Sequence, residues 1–275
     1  MKNILIATDF SANARNAWDY AWKRFGSNSR YHIMHIVTPV YEPADIPVIS
    51  AVATQNKREV ATTLLEKWVS EIQQEQQGQD LVIQSILEVG SPASTIVEKA
   101  QGINADCILM GTQGEHSRLD RWLGTISMQV VDLAETPLWL VPSGYKPDGL
   151  NTAIYASDLQ ASDPFYIWEA IQIMDPEQPV LKCVHIGHRN PEDDRKWGQI
   201  QQLFAERSPT IQTQFQWLDT TQQDIATQLL EYVHWNEANL LVLYSPHRNW
   251  LQRLFHRSIV HDFEGHMTVP VLIVR

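Results

Sequence analysis

The sequence predicts an α/β protein made of two tandem doubly wound domains, each a five-stranded parallel sheet with helices on both faces. Three observations carry this prediction. Short apolar runs alternate with stretches of helical periodicity, as in crossover units that build a covered parallel sheet. The alternation occurs twice in the same order. The length, 275 residues, suits two domains of roughly 100–200 residues each.

In the first half the strand candidates are Ile4 to Ala7, His32 to Val37, Leu81 to Val89, Cys107 to Met110 and Leu138 to Val141. Ser11 is placed to cap a first helix, whose Ala14, Ala17, Trp18, Ala21, Trp22 and Phe25 recur at steps of three and four before Gly26 stops it. Val60, Ala61, Leu64, Leu65, Trp68, Val69 and Ile72 form the inward stripe of a second. Ser91-Pro92 opens a third as N-cap and first residue. A fourth runs from about Thr125 to Ala134. Trp18, Trp22 and Trp68 read as core rather than as a stacking platform.

The second half repeats four of these segments. Ile4 to Asp9 matches Ala153 to Asp158, and Ile33 to Ile36 matches Cys183 to Ile186. Ala105 to Met110 matches Ala238 to Leu243, and Thr136 to Val141 matches Val269 to Val274. Four matches in one order indicate a duplication. The joint, Pro142-Ser-Gly-Tyr-Lys-Pro-Asp-Gly149, has linker composition. It sets the domains at 1–143 and 151–275, with 144–150 as linker.

The net charge of −11, with acids outnumbering bases in both halves, argues against nucleic acid or an anionic membrane as a partner. No apolar run nears the ~18 residues that span a bilayer, and Met1-Lys2-Asn3 is followed by too short an apolar stretch for a signal peptide. The expectation is a cytoplasmic protein. Cys107 and Cys183 lie in apolar runs and read as inert buried thiols. His35 and His185, at equivalent places in strands, read as structural histidines with satisfied hydrogen bonds.

The segment with the most specific chemistry follows the fourth strand: Gly111-Thr-Gln-Gly114, nine further residues, then Gly124-Thr125. Bare glycines after a parallel strand let backbone N–H groups approach an anion, and a helix starting at Gly124-Thr125 adds orphan donors. A plain strand-to-helix loop is the alternative. This G-x2-G-x9-G-[S/T] pattern resembles the ATP-binding signature of the universal stress protein family. Asp9 after the first strand, His35-Ile36 closing the second and Thr136-Pro-Leu-Trp-Leu-Val141 at the last agree with it in order. Both halves share the likeness, so the whole chain resembles a tandem member of that family, with its Rossmann-like fold related to the adenine nucleotide α-hydrolases.

The resemblance implies an ATP-binding protein of the stress response, a nucleotide-dependent regulator or sensor without efficient turnover. The ligand is ATP, or AMP or ADP, with Mg2+ as a companion ion. Asp9 would meet the adenine or ribose edge and the Ile36 backbone the adenine. Met110 and Ile126 would line the site, and Gly111, Gly114, Gly124, Thr125 and Ser127 would hold phosphates and ribose. Residue by residue, Asp9 also suits a partner for the first helix cap, and Ile36 and Met110 also suit the core. The rival classes are a slow ATP hydrolase and an interaction scaffold that binds no nucleotide. Against an α-hydrolase enzyme, the first strand is followed by Thr8-Asp9-Phe10-Ser11-Ala12 and not by a glycine-rich pyrophosphate loop.

In the second copy Tyr244, His247 and Arg257 stand where Gly111, Gly114 and Gly124 do, while Ser258 keeps the Thr125 place. One competent site per chain is therefore expected. Arg248, Arg253, Arg257, His247, His256 and His261 make a basic island that reads as a solvated surface before it reads as an anion or metal site. Each half ends in an apolar edge strand, and such edges invite pairing. Members of the family resemble one another in pairing these strands, so an intramolecular pseudo-dimer is expected, with further homo-oligomerisation open.

Overall fold

The structure, a computed structural model, describes residues 1–40, 47–112, 124–174, 177–207, 209–220, 224–244 and 268–275, with backbone alone at 47–49. The described residues form two compact units, one from Met1 to Pro147 and one from Asp148 to Arg275.

The first unit contains β1 (Lys2–Ala7), α1 (Ala12–Phe25), β2 (Ser29–Val37), α2 (Pro47–Glu75), β3 (Val82–Val89), α3 (Pro92–Gly102), β4 (Cys107–Gly111), α4 (Thr125–Leu133) and β5 (Leu138–Val141). Its strands pair in parallel in the order β3-β2-β1-β4-β5. Ile4, Leu5 and Ile6 are fully buried, as are Leu138 to Val141. Strands buried on both faces read as continuous apolar runs, because helices cover both sides. Here α1 packs on β4 and β5, α2 on β2 and β3, and α3 against α4.

The helix signals act as expected at α1. The Ser11 hydroxyl accepts from the Ala14 N–H, and Gly26, at φ 57°, closes the helix onto the Trp22 carbonyl. Trp18 is fully buried against Trp22 and Tyr31, whereas Trp22 itself is only half-buried. Ser91 holds the N-cap place of α3 and Pro92 its first position, yet the Ser91 hydroxyl makes no cap bond.

At α2 the stripe differs from the expectation. The helix begins at Pro47, well before the predicted stretch. Its buried face is Ala61, Leu65, Trp68 and Ile72, at steps of four, three and four. Val60 and Leu64, expected in the core, are 61% and 43% exposed. Each lies one residue, about 100° of helix, before a buried neighbour, so the two adjoining apolar rows cannot both face the sheet.

The second unit contains β6 (Thr152–Ser157), α5 (Asp163–Met174), β7 (Val180–Ile186), α6 (Pro191–Arg207), β8 (Thr213–Leu218), α7 (Ile225–Trp235), β9 (Leu240–Tyr244) and β10 (Val271–Val274). Its parallel order is β10-β9-β6-β7-β8, the arrangement of the first unit. The Asp224 carboxylate caps α7 by accepting from Ala226 and Thr227 N–H groups.

One acid in this unit is buried against two hydroxyl groups. Asp163, fully buried at the start of α5, accepts from the Tyr155 hydroxyl at 2.9 Å and from the Ser157 hydroxyl. Burial outweighs these bonds and pushes its carboxyl up to about 6, with nearby Asp158 acting in the same direction. A carboxyl raised above its unfolded value binds its proton more tightly when folded. It therefore adds stability as the pH falls from about 7 towards its unfolded pKa of about 4, to the extent of roughly 2–3 kcal/mol. We expect wild type to gain about that much on the Asp163→Asn variant between pH 7 and pH 4.5 in urea unfolding. Parallel pH profiles would contradict the assignment.

Candidate functional site

In the first unit the chain leaves β1 outward to β2 and β3, then returns to the other side of β1 for β4 and β5. Crossovers that diverge from adjacent strands open a crevice at the strands' carboxyl ends, where doubly wound sheets bind ligands. Asp9 follows β1 at this point and Gly111 ends β4, to which the start of α4 is hydrogen-bonded.

The turn after β1 is tightly specified. The Phe10 N–H donates to the Thr8 hydroxyl at 3.0 Å, and the Ser11 N–H donates to the Asp9 carboxylate at 3.1 Å. Phe10 sits at φ 67°, a conformation that costs a bulky residue about 1 kcal/mol or more. It is held there by these bonds and by stacking on His35, with ring centroids 4.4 Å apart. His35 Nδ1 meets the Thr8 carbonyl at 2.8 Å. A carbonyl only accepts, so Nδ1 carries the proton and the ring is fixed. His35 is thus the satisfied structural histidine that its apolar strand suggests. Asp9 shapes the turn in front of α1.

Gly111 is required by packing. A Cβ built there would lie 2.6 Å from Asn13 Nδ2 and 3.1 Å from the Asn13 backbone carbon. The absence of a side chain lets the first turn of α1 lie directly on the end of β4. Met110 beside it is 6% exposed and packs as core, the alternative its sequence left open. Ile36, at the end of β2, is half-buried.

The start of α4 is bound to the same strand end. The Gly124 N–H donates to the Thr112 carbonyl at 2.6 Å, and the Ser127 hydroxyl, itself buried, donates to the Gly111 carbonyl at 3.1 Å. Gly124 is the N-cap, at φ −68° and ψ 161°, and supplies no side-chain cap. Any residue adopts those angles, so the bareness there is not a backbone requirement. It leaves the first N–H groups of α4 without the side-chain acceptor that Ser11 gives α1. Thr125 and Ile126 are exposed. The structure therefore brings Asp9, Ile36, Met110, Gly111, Gly124, Thr125, Ile126 and Ser127 to one end of the unit; Gly114 lies outside the described residues.

Sequence reasoning did not single out Phe10, because no pattern marks a bulky residue at positive φ. It also missed a cavity of about 620 Å3 where Phe10, His35 and Ile36 face Asn56, Lys57, Val60 and Leu64 of α2.

The second unit keeps the turn and alters the rest. Leu159, after Asp158, repeats the positive φ of Phe10 at 59°, its N–H donating to the Ser157 hydroxyl at 3.2 Å. His185 Nδ1 meets the Ser157 carbonyl at 2.9 Å, repeating His35. Tyr244, in the Gly111 place, stacks on Tyr166 of α5 with ring centroids 3.6 Å apart. His247, Arg257, Ser258 and the basic island lie outside the described residues. Cys107 and Cys183 are free and buried; burial pushes the Cys107 thiol up to about 12 and that of Cys183 up as well. Among the described residues no helix is long and apolar enough to cross a membrane, and no group of three or more His, Cys, Asp or Glu is arranged to hold a metal.

Residues 1–142 match the model of the universal stress protein family. Among solved structures, a universal stress protein from Archaeoglobus fulgidus is 15% identical, with 99% of this chain and 96% of that one covered and a TM-score of 0.72. A protein of unknown function from Pseudomonas aeruginosa is 12% identical, with 100% and 92% covered and a TM-score of 0.61. A universal stress protein in complex with cAMP is 21% identical over 52% of this chain and 98% of that one, with a TM-score of 0.36. No match was found among curated proteins. With the family model covering more than half of its length, and the fold extending over both units, the chain belongs to the universal stress protein family.

Proposed function

We propose that this chain is a nucleotide-responsive regulator of the cytoplasmic stress response, with one ATP site, in the first unit. The observation that carries the reading is the start of α4, which has a glycine as its N-cap and is hydrogen-bonded to the end of β4 at Gly111 and Thr112, next to the point where the strand order reverses. An uncapped helix start offers N–H donors and the positive end of a dipole to phosphate. Gly111, Gly114, Gly124, Thr125 and Ser127 would hold the phosphates and ribose, Asp9 a hydroxyl or amine edge, and Ile36, Met110 and Ile126 the base. AMP or ADP would use the same base and ribose contacts, and Mg2+ would enter on the phosphates. These groups bind and orient; none of their roles requires turnover, which favours a sensor over an enzyme.

The Tyr244–Tyr166 stack supports the asymmetry, since ring atoms stand where the first unit offers bare backbone. We further propose that β5 and β10 form the seam of an intramolecular pseudo-dimer, with Leu138, Leu140, Val271 and Ile273 nearest it. Both strands are apolar throughout. Residues 1–146 alone should then dimerise or aggregate in sedimentation experiments, and a monomer at high concentration would contradict the seam.

The ATP site is tested by thermal shift. Saturating ATP at ~100 times its Kd should stabilise the wild type by about 2.7 kcal/mol and raise its midpoint. Gly124→Arg, folded by circular dichroism, should lose that shift, as should Gly114→Arg. A folded variant that keeps the full shift would overturn the assignment.

A further inference from the structure

The outer row of α2 has a chemistry that its exposure does not explain. Val52, Val60 and Leu64 are 54%, 61% and 43% exposed, while the row beside them, Ala61, Leu65, Trp68 and Ile72, already covers the sheet. Val60 and Leu64 are not scattered over the surface. They line the 620 Å3 cavity together with Phe10, His35 and Ile36. That volume lies within the ~300–1,000 Å3 usual for small-molecule sites, which are mostly apolar with a few polar groups. Its polar groups are the His35 ring and Thr38 hydroxyl on the strand side and, one turn earlier on the helix, the Asn56 amide and the Lys57 ammonium. Among the described residues neither the Asn56 nor the Lys57 side chain makes a hydrogen bond or an ion pair. An amide offers both a donor and an acceptor, and an ammonium only donors. Apolar side chains, a stacked ring pair, a hydroxyl, an amide and a cation match a purine nucleotide, in a chain that is otherwise strongly acidic.

Resting on the nucleotide reading of the first unit, we propose that α2 is the specificity wall of that site. Val60 and Leu64 face the purine across an open cleft from the Phe10–His35 pair and Ile36; Asn56 meets its edge; Lys57 attracts the negative charge of the phosphates through the field. Val60 and Leu64, which periodicity assigns to the core, then face a ligand instead, and a surface row has reason to carry Val and Leu.

The test is isothermal titration of the full chain with ATP and with AMP. Val60→Ser/Leu64→Ser changes exposed positions, and circular dichroism checks that the helix persists. It should weaken both nucleotides by the same factor, about tenfold, since both share the base. Lys57→Ala should weaken ATP more than AMP, in proportion to their charge, and the difference should shrink with added salt. Wild-type ATP binding with unchanged affinities in both variants would overturn the α2 wall and leave the phosphate site standing. Absence of ATP binding by the wild type would instead overturn the nucleotide reading on which the wall rests.

Discussion

The carboxyl end of the first unit depends on one close approach, that of the first turn of α1 to the end of β4. Gly111 permits it, because any side chain there would meet Asn13. With α1 seated on β4, the Asp9–Phe10–Ser11 turn is brought beside the strand end, and the Gly111 carbonyl stays available to the Ser127 hydroxyl that fixes α4. Strand, helix start and acid thus converge through a contact between two backbones. Parallel strands cannot be joined by hairpins, so their crossovers converge on the strand ends; the glycine decides how closely.

The duplication shows which features the fold needs and which serve the site. Both units retain a hydroxyl residue at the end of the first strand, an acid after it, a residue at positive φ, and a histidine hydrogen-bonded to the hydroxyl residue's carbonyl. These recur where Tyr244 stands in the place of Gly111, so they belong to the architecture. The second unit instead uses its space for the Tyr166–Tyr244 stack and for Asp163, a buried acid held by two hydroxyls. An acid so placed stabilises the unit more at low pH than at neutrality.

Most of the fold was legible in the sequence because parallel strands are buried on both faces and leave uninterrupted apolar runs. The runs ending at Ala7, Val37 and Val141 coincide with strand ends in the structure, and Ser11 and Gly26 bound α1 as their chemistry requires. The error at α2 has a physical source. A helix with two adjacent apolar rows satisfies the same periodicity whichever row faces the sheet, and only the position of the neighbouring strands decides that Leu65 is buried and Leu64 is not. At the site, the resemblance to the family drew together residues separated by more than a hundred positions, such as Asp9 and Thr125. It could not distinguish a glycine needed for packing, as Gly111 is, from one whose backbone angles suit any residue, as those of Gly124 do. Phe10 was hidden for a similar reason: its conformation is imposed by Thr8 and His35 rather than by its own preference.

The central claim is an asymmetry between two units of one fold, in which a phosphate-binding strand end survives in the first and is filled in the second. The most direct measurement is the stoichiometry of ATP on the full chain, by equilibrium titration with the protein concentration held well above Kd. The account predicts one nucleotide per chain, abolished by Gly124→Arg in the first unit and unaffected by Tyr244→Ala in the second. Two equivalent nucleotides per chain, or one that survives Gly124→Arg, would contradict it.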